Sequence, residues 1–276
     1  MQQAKNKYAR DNKYILRRTN ALAISLFLFI DCEPVLALET DSGQPAKALH
    51  IDVGQCYGIY TFPYGLLIEP RWSPYLEIHY ESGNMVADLQ SGLGYKFLNN
   101  AEFSAGPAIV YQYGRYESAD SRYRGLGDIP AAPAPSLFFE WTAFAGGVDL
   151  FVETGQSIGP TSSRYETVEA TIAYLLSSSW NGFIDLLITG GDARYTRSFY
   201  GVTPLQASRS GYGVYTPNSG LTTAIGTVGI SYKYSKQWEI IADMGISQYL
   251  DAVASSPLIA HRKSPAGNIL LSYKFQ

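Results

Sequence analysis

Polar and apolar residues alternate with a period of two along most of this chain. In the last segment Ile269, Leu271, Tyr273 and Phe275 share one face of a predicted strand. Asn268, Ser272 and Lys274 take the other, and Leu270 is the one apolar residue out of place. At 223–234, Ala224, Gly226, Val228, Ile230, Tyr232 and Tyr234 oppose Thr223, Thr227, Ser231 and Lys233, with Ile225 the exception. At 237–248, Trp238, Ile240, Ala242, Met244 and Ile246 oppose Gln237, Glu239, Asp243 and Ser247. Val168, Ala170, Ile172, Tyr174 and Leu176 oppose Thr167, Glu169 and Thr171 at 165–176. At 85–97, Met85, Ala87, Leu89, Leu93, Tyr95 and Phe97 oppose Asp88, Gln90 and Lys96. Any half-buried strand alternates. Period two held over about ten residues, with aromatics at the ends, is the pattern of strands that cross a membrane with a lipid face and an interfacial girdle.

Further strands are predicted at 49–58, 71–81, 101–113, 136–146, 147–156 and 180–195, and Pro107 sits awkwardly inside one of them because proline cannot donate to a ladder. That makes eleven strands. An odd number is incompatible with both termini on the periplasmic side, so an omitted strand is placed between Tyr60 and Glu69, where Pro63 and Gly65 break the pattern. The fold class is therefore all-β: one antiparallel transmembrane β-barrel over residues 49–276, of about 12 strands, with about 10 as the alternative. The turn Ser235-Lys236 is as short as periplasmic turns are, and the long segments near 114–135, 196–221 and 250–264, rich in Pro and Gly, face outward.

Lys5, Lys7, Arg10, Lys13, Arg17 and Arg18 precede the apolar run Ala21 to Ile30, and Val35-Leu36-Ala37 follows. This order predicts a cleaved signal peptide over 1–37, a short periplasmic segment over 38–48, and export to the outer membrane of a Gram-negative cell. The apolar run is too short for a spanning helix, and Asp31 before Cys32 is wrong for lipidation. Cleavage removes six basic and three acidic residues from totals of 21 and 24, leaving a net charge of −6. No basic stretch points to nucleic acid. Only Cys56 remains, so no internal disulfide is expected.

Only His50, His79 and His261 could serve as a catalytic imidazole, and none has a nucleophile and orienting group arranged around it in sequence. Ser256 and His261 share a loop, and Asp192 and Asp251 fall near the outer rim, but no His-Asp motif accompanies them. No Cys/His cluster exists for a metal, so neither enzymatic activity nor a cofactor is expected. The inward faces carry Asp52, Glu77, Asp88, Glu140, Asp149, Glu153, Glu169, Asp185, Glu239 and Asp243, with Lys96, Lys233 and Lys274 as basic counterparts and His50 and His79 beside them. Two readings stay open: a cation-attracting channel, or a lumen filled by side chains whose charges pair across strands, which is favoured for a barrel of modest size. Near the outer rim Arg194, Arg197, Arg209, Arg262 and Lys263 are candidate lipopolysaccharide contacts, since guanidinium pairs bidentately with phosphate. Tyr195, Tyr200, Tyr212 and Tyr215 either form a sticky surface or pack a loop over the barrel mouth.

Three stretches carry a likeness to a known family: Arg122-Tyr-Arg-Gly-Leu-Gly-Asp-Ile129, then Phe199 through Pro217, then Asp251-Ala-Val-Ala-Ser-Ser-Pro-Leu258 leading into the closing strand. With these the chain resembles the MipA/OmpV family of outer-membrane proteins, over most of its length and more weakly before about residue 85. It departs from the family in ending on Gln276 after Phe275, and in lacking an acidic, Ser-containing first loop between Gln55 and Gly65. The resemblance implies a non-catalytic barrel acting as an adaptor between a lytic transglycosylase and a murein-synthesising penicillin-binding protein. Alternatives are a small pore or uptake protein using the acidic lumen, and a surface receptor or adhesin working through the 196–221 loop.

Overall fold

The computed structural model describes residues 48–61, 67–88, 92–144 and 147–275. The predicted signal peptide, most of the short segment after it, and Gln276 lie outside them. Thirteen strand segments make one antiparallel sheet: β1 (Ala48–Thr61), β2 (Leu67–Ser82), β3 (Met85–Asp88), β4 (Gly92–Tyr95), β5 (Leu98–Asn99), β6 (Phe103–Gln112), β7 (Ala132–Ala143), β8 (Val148–Gln156), β9 (Arg164–Leu175), β10 (Trp180–Gly191), β11 (Gly220–Lys233), β12 (Trp238–Tyr249) and β13 (Lys263–Phe275). Each pairs with its neighbours in sequence, except that β4 and β5 both pair with β6 and not with each other. β1 also pairs with β13, from Ile51↔Phe275 to Ile59↔Gly267, and β4 with β6, so the sheet closes on itself. β4 and β5 are two pieces of one course. Their pairing with β6 slips by one residue between Gly94↔Ala108 and Leu98↔Ala105, a bulge at Lys96 and Phe97. The barrel therefore has the 12 strands expected.

The twelfth strand is not where the alternation placed it. Tyr60 pairs with Ile68 and Thr61 with Leu67, which leaves no room for a strand between Tyr60 and Glu69. The segment 85–97 folds back instead, with Met85 opposite Tyr95 and Asp88 opposite Gly92. The turn preserves inside–outside parity: Met85, Leu93 and Tyr95 all face out while Val86 and Gly94 are buried. A period-two count runs straight through such a turn and reads two short strands as one. The strand predicted to reach residue 195 ends at Gly191, where Asp192 caps a helix.

The strand prolines fall where the ladder is interrupted. Gly83-Asn84 joins β2 to β3 as a two-residue turn with Gly83 at φ +60°, so its flanking pair Ser82↔Met85 exchanges hydrogen bonds and even-numbered β2 residues point their amides toward β3. Pro74 lies above the end of β3 on that side. By the same parity Pro107 points at the β4–β5 bulge, Pro133 and Pro135 point past the end of β8, and Pro265 points past the last β1 pair. A missing N–H is tolerated at such places, which removes the difficulty of Pro107 inside a strand.

The outer wall is apolar. Trp72, Ile109, Leu137, Ile172, Ile184, Val228, Met244 and Ile269 are each at least half exposed. At the periplasmic ends aromatics gather into a girdle, with Trp180 on Tyr232 (centroids 4.5 Å apart), Trp238 on Tyr273 (5.1 Å) and Tyr273 on Phe275 (5.0 Å). At the opposite end Tyr57 meets Trp72 and Tyr111 meets Tyr113. On this side, between β10 and β11, stand two short helices, α1 (Ala193–Tyr200) and α2 (Pro204–Ser210). Thr203 and Gln206 form a capping box at the start of α2, and Gly211 closes it in the left-handed conformation.

Candidate functional site

The inward face holds the residues from which any transport or sealing must be built. Cys56, Phe183, Ile241 and Leu270 are wholly buried, and Tyr75 and Ala173 nearly so, in one apolar cluster contributed by β1, β2, β9, β10, β12 and β13. Cys56, Leu270 and Ile241 are ladder partners, as are Phe183 and Ala173, and the strands run without a break from β2 to β9, which stand opposite each other in the ring of twelve, so this belt along the inner wall reaches from one side of the lumen to the other as an apolar septum. Gly229 on β11 makes room for it: a Cβ there would come within 2.2 Å of the Phe183 ring. The sequence signal for the septum was each apolar residue at an inward position, Leu270 above all. Of these only Leu270 stands out in the sequence as an exception to the alternation, and a single exception gives no sign of what it meets.

The inward acids are bound up in local pairs. Glu140 accepts a hydrogen bond from the Ser104 hydroxyl at 2.5 Å, Asp149 one from Thr142 at 2.7 Å and Asp185 one from Thr171 at 2.6 Å. Glu169 is a further hydrogen-bond partner of Asp185. Asp88 stands 3.2 Å from the His79 ring, Glu239 3.0 Å from the Lys274 ammonium, and Lys96 donates to Glu81 at 2.9 Å. Asn268 donates to Asp243 and accepts from the Cys56 thiol, and Tyr75 donates to Glu77. Asp52 is buried, 4 % exposed. The inward acids are thus held by hydroxyls and by cations on neighbouring strands; among the described residues no three His, Cys, Asp or Glu side chains are grouped to hold a metal.

The outward loops close over the barrel mouth. Tyr123 and Leu126 from the β6–β7 loop, Phe199, Tyr200 and Val202 from the α1 region, and Val253, Ala254 and Leu258 from the β12–β13 loop pack with Tyr249 into a second apolar cluster. Tyr195, Tyr212 and Tyr215 lie against it, so these tyrosines pack the loop down. Arg115, 2 % exposed, ties two loops together: one guanidinium nitrogen donates to the Phe199 carbonyl at 2.9 Å and the group stands 5.7 Å over the Tyr123 ring. Burial pushes the Tyr123 hydroxyl well above the ordinary phenol range. At the edge of the cap, hydrogen bonds from Arg122 hold the Asp120 carboxyl below the usual carboxylate range.

The basic residues of the outer rim are not drawn into one site. Arg194 and Arg197 project from α1, Arg209 lies in the last turn of α2, and Lys263 begins β13, all exposed. Arg262 donates to the Ala254 carbonyl at 3.2 Å and so braces its own loop. The Ser256 hydroxyl donates to the Tyr200 carbonyl at 2.6 Å and Asp192 accepts from the Tyr195 amide at 2.8 Å, each in a structural role.

The family model of MltA-interacting protein MipA matches residues 63–275. No curated protein matches the chain. Among solved structures the chain is similar to the NanC porin (8 % identity, 83 % of this chain and 100 % of that one, TM-score 0.38). It is also similar to the outer-membrane channel DcaP of Acinetobacter baumannii (10 %, 87 % and 99 %, 0.38) and to OmpF of Salmonella typhi (10 %, 83 % and 97 %, 0.40). With the family model covering all of the barrel except β1, this chain belongs to the MltA-interacting protein MipA family and is an outer-membrane β-barrel protein.

Proposed function

We propose that this barrel is a non-catalytic scaffold for murein-remodelling enzymes, contacted from the periplasmic side. The observation that carries the reading is the apolar septum on the inner wall, with inward acids held in local pairs and three loops packed together over the mouth. A pore needs a wetted path, and an apolar constriction expels water from one. The family's own description, an MltA-interacting protein, supports a protein partner. The partners proposed are a lytic transglycosylase and a penicillin-binding protein, reached through the periplasmic turns at Ser177–Ser179 and Ser235–Gln237. On the other side of the membrane, exposed Arg194, Arg197, Arg209 and Lys263, with Arg262, meet lipopolysaccharide phosphates.

The test is crosslinking in native envelopes with the mature protein as bait, followed by mass spectrometry. Enrichment of a lytic transglycosylase or a penicillin-binding protein over a control barrel of equal abundance is the expected result. Recovery of assembly factors and lipid alone would sink the scaffold reading.

A further inference from the structure

The lipid-facing wall carries an amide in its middle. Gln55 is the eighth of the fourteen residues of β1, and it points outward with Val53 and Tyr57 while Asp52 and Cys56 are buried inside. Among the described residues the other outward amides and charges of the strands, Gln156, Arg164, Glu166, Gln248 and Lys263, all lie within two residues of an outer strand end, where headgroups and water solvate them. Around Gln55 the wall is apolar. Its ladder partners are Leu271 on β13 and Pro74 on β2. Pairing is continuous along both edges of β1 here, so its own backbone offers the side chain nothing, and Gln55 makes no hydrogen bond among the described residues. Because the position of the missing Pro74 amide faces away from β1, Gln55 and Pro74 form a non-hydrogen-bonded pair, in which side chains stand closest, and a rigid ring flanks the amide on that side. A carboxamide held at membrane depth without a partner costs free energy, and hydrocarbon supplies neither donor nor acceptor.

We propose that Gln55 marks a homodimer face: two copies of this chain meet along β1 about a two-fold axis parallel to the membrane normal, with the two Gln55 amides hydrogen-bonded to each other. Three features select a second copy as the occupant. A carboxamide is its own complement, since it donates through nitrogen and accepts through oxygen. Two copies inserted in the same direction carry Gln55 at the same depth, and a two-fold brings identical residues face to face; an unrelated barrel would need an amide set at that depth. Two convex barrels touch along a line little wider than one strand, and β1 with its amide provides that line. The rotation sets β2 of each copy against β13 of the other. Trp72, 69 % exposed and backed by Tyr57 at a centroid distance of 5.2 Å, then packs onto the apolar wall of Ile269 and Leu271 in the second copy. The face stands apart from the periplasmic turns, so the dimer and the scaffold role can fail separately.

The experiment uses the full-length protein in native outer membranes with the photo-crosslinker p-benzoylphenylalanine placed at Val53, one outward position from Gln55 on β1, or at Val152, outward on β8 across the barrel. Each is made with Gln55 intact and with Gln55→Leu. Adducts are identified by gel separation and mass spectrometry, and folding is read from the heat-modifiable shift, which Gln55→Leu should keep because an apolar side chain suits the lipid face. The dimer face predicts a covalent dimer of this chain at Val53, at a yield roughly tenfold above Val152 and falling about tenfold on Gln55→Leu, in line with paired amide hydrogen bonds at membrane depth. Lipid adducts alone at Val53, adducts to a different protein, or equal dimer yields at Val53 and Val152 would overturn the dimer face. A dimer yield that survives Gln55→Leu would overturn the amide pairing. If the Val53 protein fails to fold, the same probe at Leu271, the ladder partner of Gln55, gives the same outcomes.

Discussion

Removing the septum should convert a silent barrel into a leaky one, and Phe183 is the place to begin. Its ring is wholly buried and lies over Gly229, so nothing behind it can move in to replace it. In a dry core Phe→Ala costs about 3–5 kcal/mol, the transfer of the ring plus the void it leaves. Asn181 and Asp185 flank Phe183 on the inward face of β10 and Asp243 stands across Gly229, polar groups that can draw water into the void, so the loss is expected at the low end, about 3 kcal/mol. Tyr75 shares the same cluster, so Phe183→Ala and Tyr75→Ala together should fall short of the sum of the two. The assay is planar-bilayer conductance of the purified, signal-cleaved protein, with urea midpoints in detergent giving the stability. The wild type should show no steady current, Phe183→Ala brief openings, and the double variant a sustained cation-selective conductance through the acidic lumen. A steady current from the wild type would refute the septum as a seal. A double variant that is folded, as destabilised as expected and still silent would refute the claim that these side chains form the barrier.

Three further outcomes follow from particular contacts. Lys274→Met removes the cation 3.0 Å from Glu239, which is 1 % exposed, and should lower unfolding stability by about 3 kcal/mol, whereas Lys274→Arg should retain most of it, both read from urea midpoints. Arg115→Ala unties the β6–β7 loop from α1, so a protease added to intact cells should cleave the outer loops faster while the barrel keeps its heat-modifiable shift; unchanged cleavage would show that the apolar cluster alone holds the cap. The Asp120 carboxyl has a folded-state pKa below its ordinary value, so the Asp120–Arg122 contribution is full above the usual carboxylate range and is lost as pH falls through the lower folded value. The pair lies at the edge of the cap and is partly exposed to solvent, so that contribution is about 1 kcal/mol at most. Asp120→Asn should abolish the acid-dependent change in this loop followed by NMR, and its persistence would assign the change to another group.

Most of the barrel was legible in the sequence because lipid outside and a packed polar lumen inside leave a period-two trace on every strand. Eleven strands, the common end of the long loops and the inward positions of Asp52, Glu140, Asp185 and Glu239 followed from parity alone, and the final strand from Ile269 to Phe275 was readable residue by residue. Parity is blind to where a strand turns back. The hairpin at 85–95 keeps odd residues outside on both arms, so only the pairing of Asp88 with Gly92 reveals it and moves the twelfth strand from 60–69 to that place. Parity is also blind to what meets across the lumen. Phe183, Ile241 and Leu270 are inward apolar residues on three strands, and closure of the sheet brings them onto one another and onto Gly229. The same holds for the cap, where Arg115 finds Phe199 across 84 residues of sequence. Local alternation fixes which face a side chain takes, because the backbone sets that residue by residue. Which side chains share a cavity depends on the closed circumference and the order of strands around it, a property of the whole sheet that no short stretch of sequence contains.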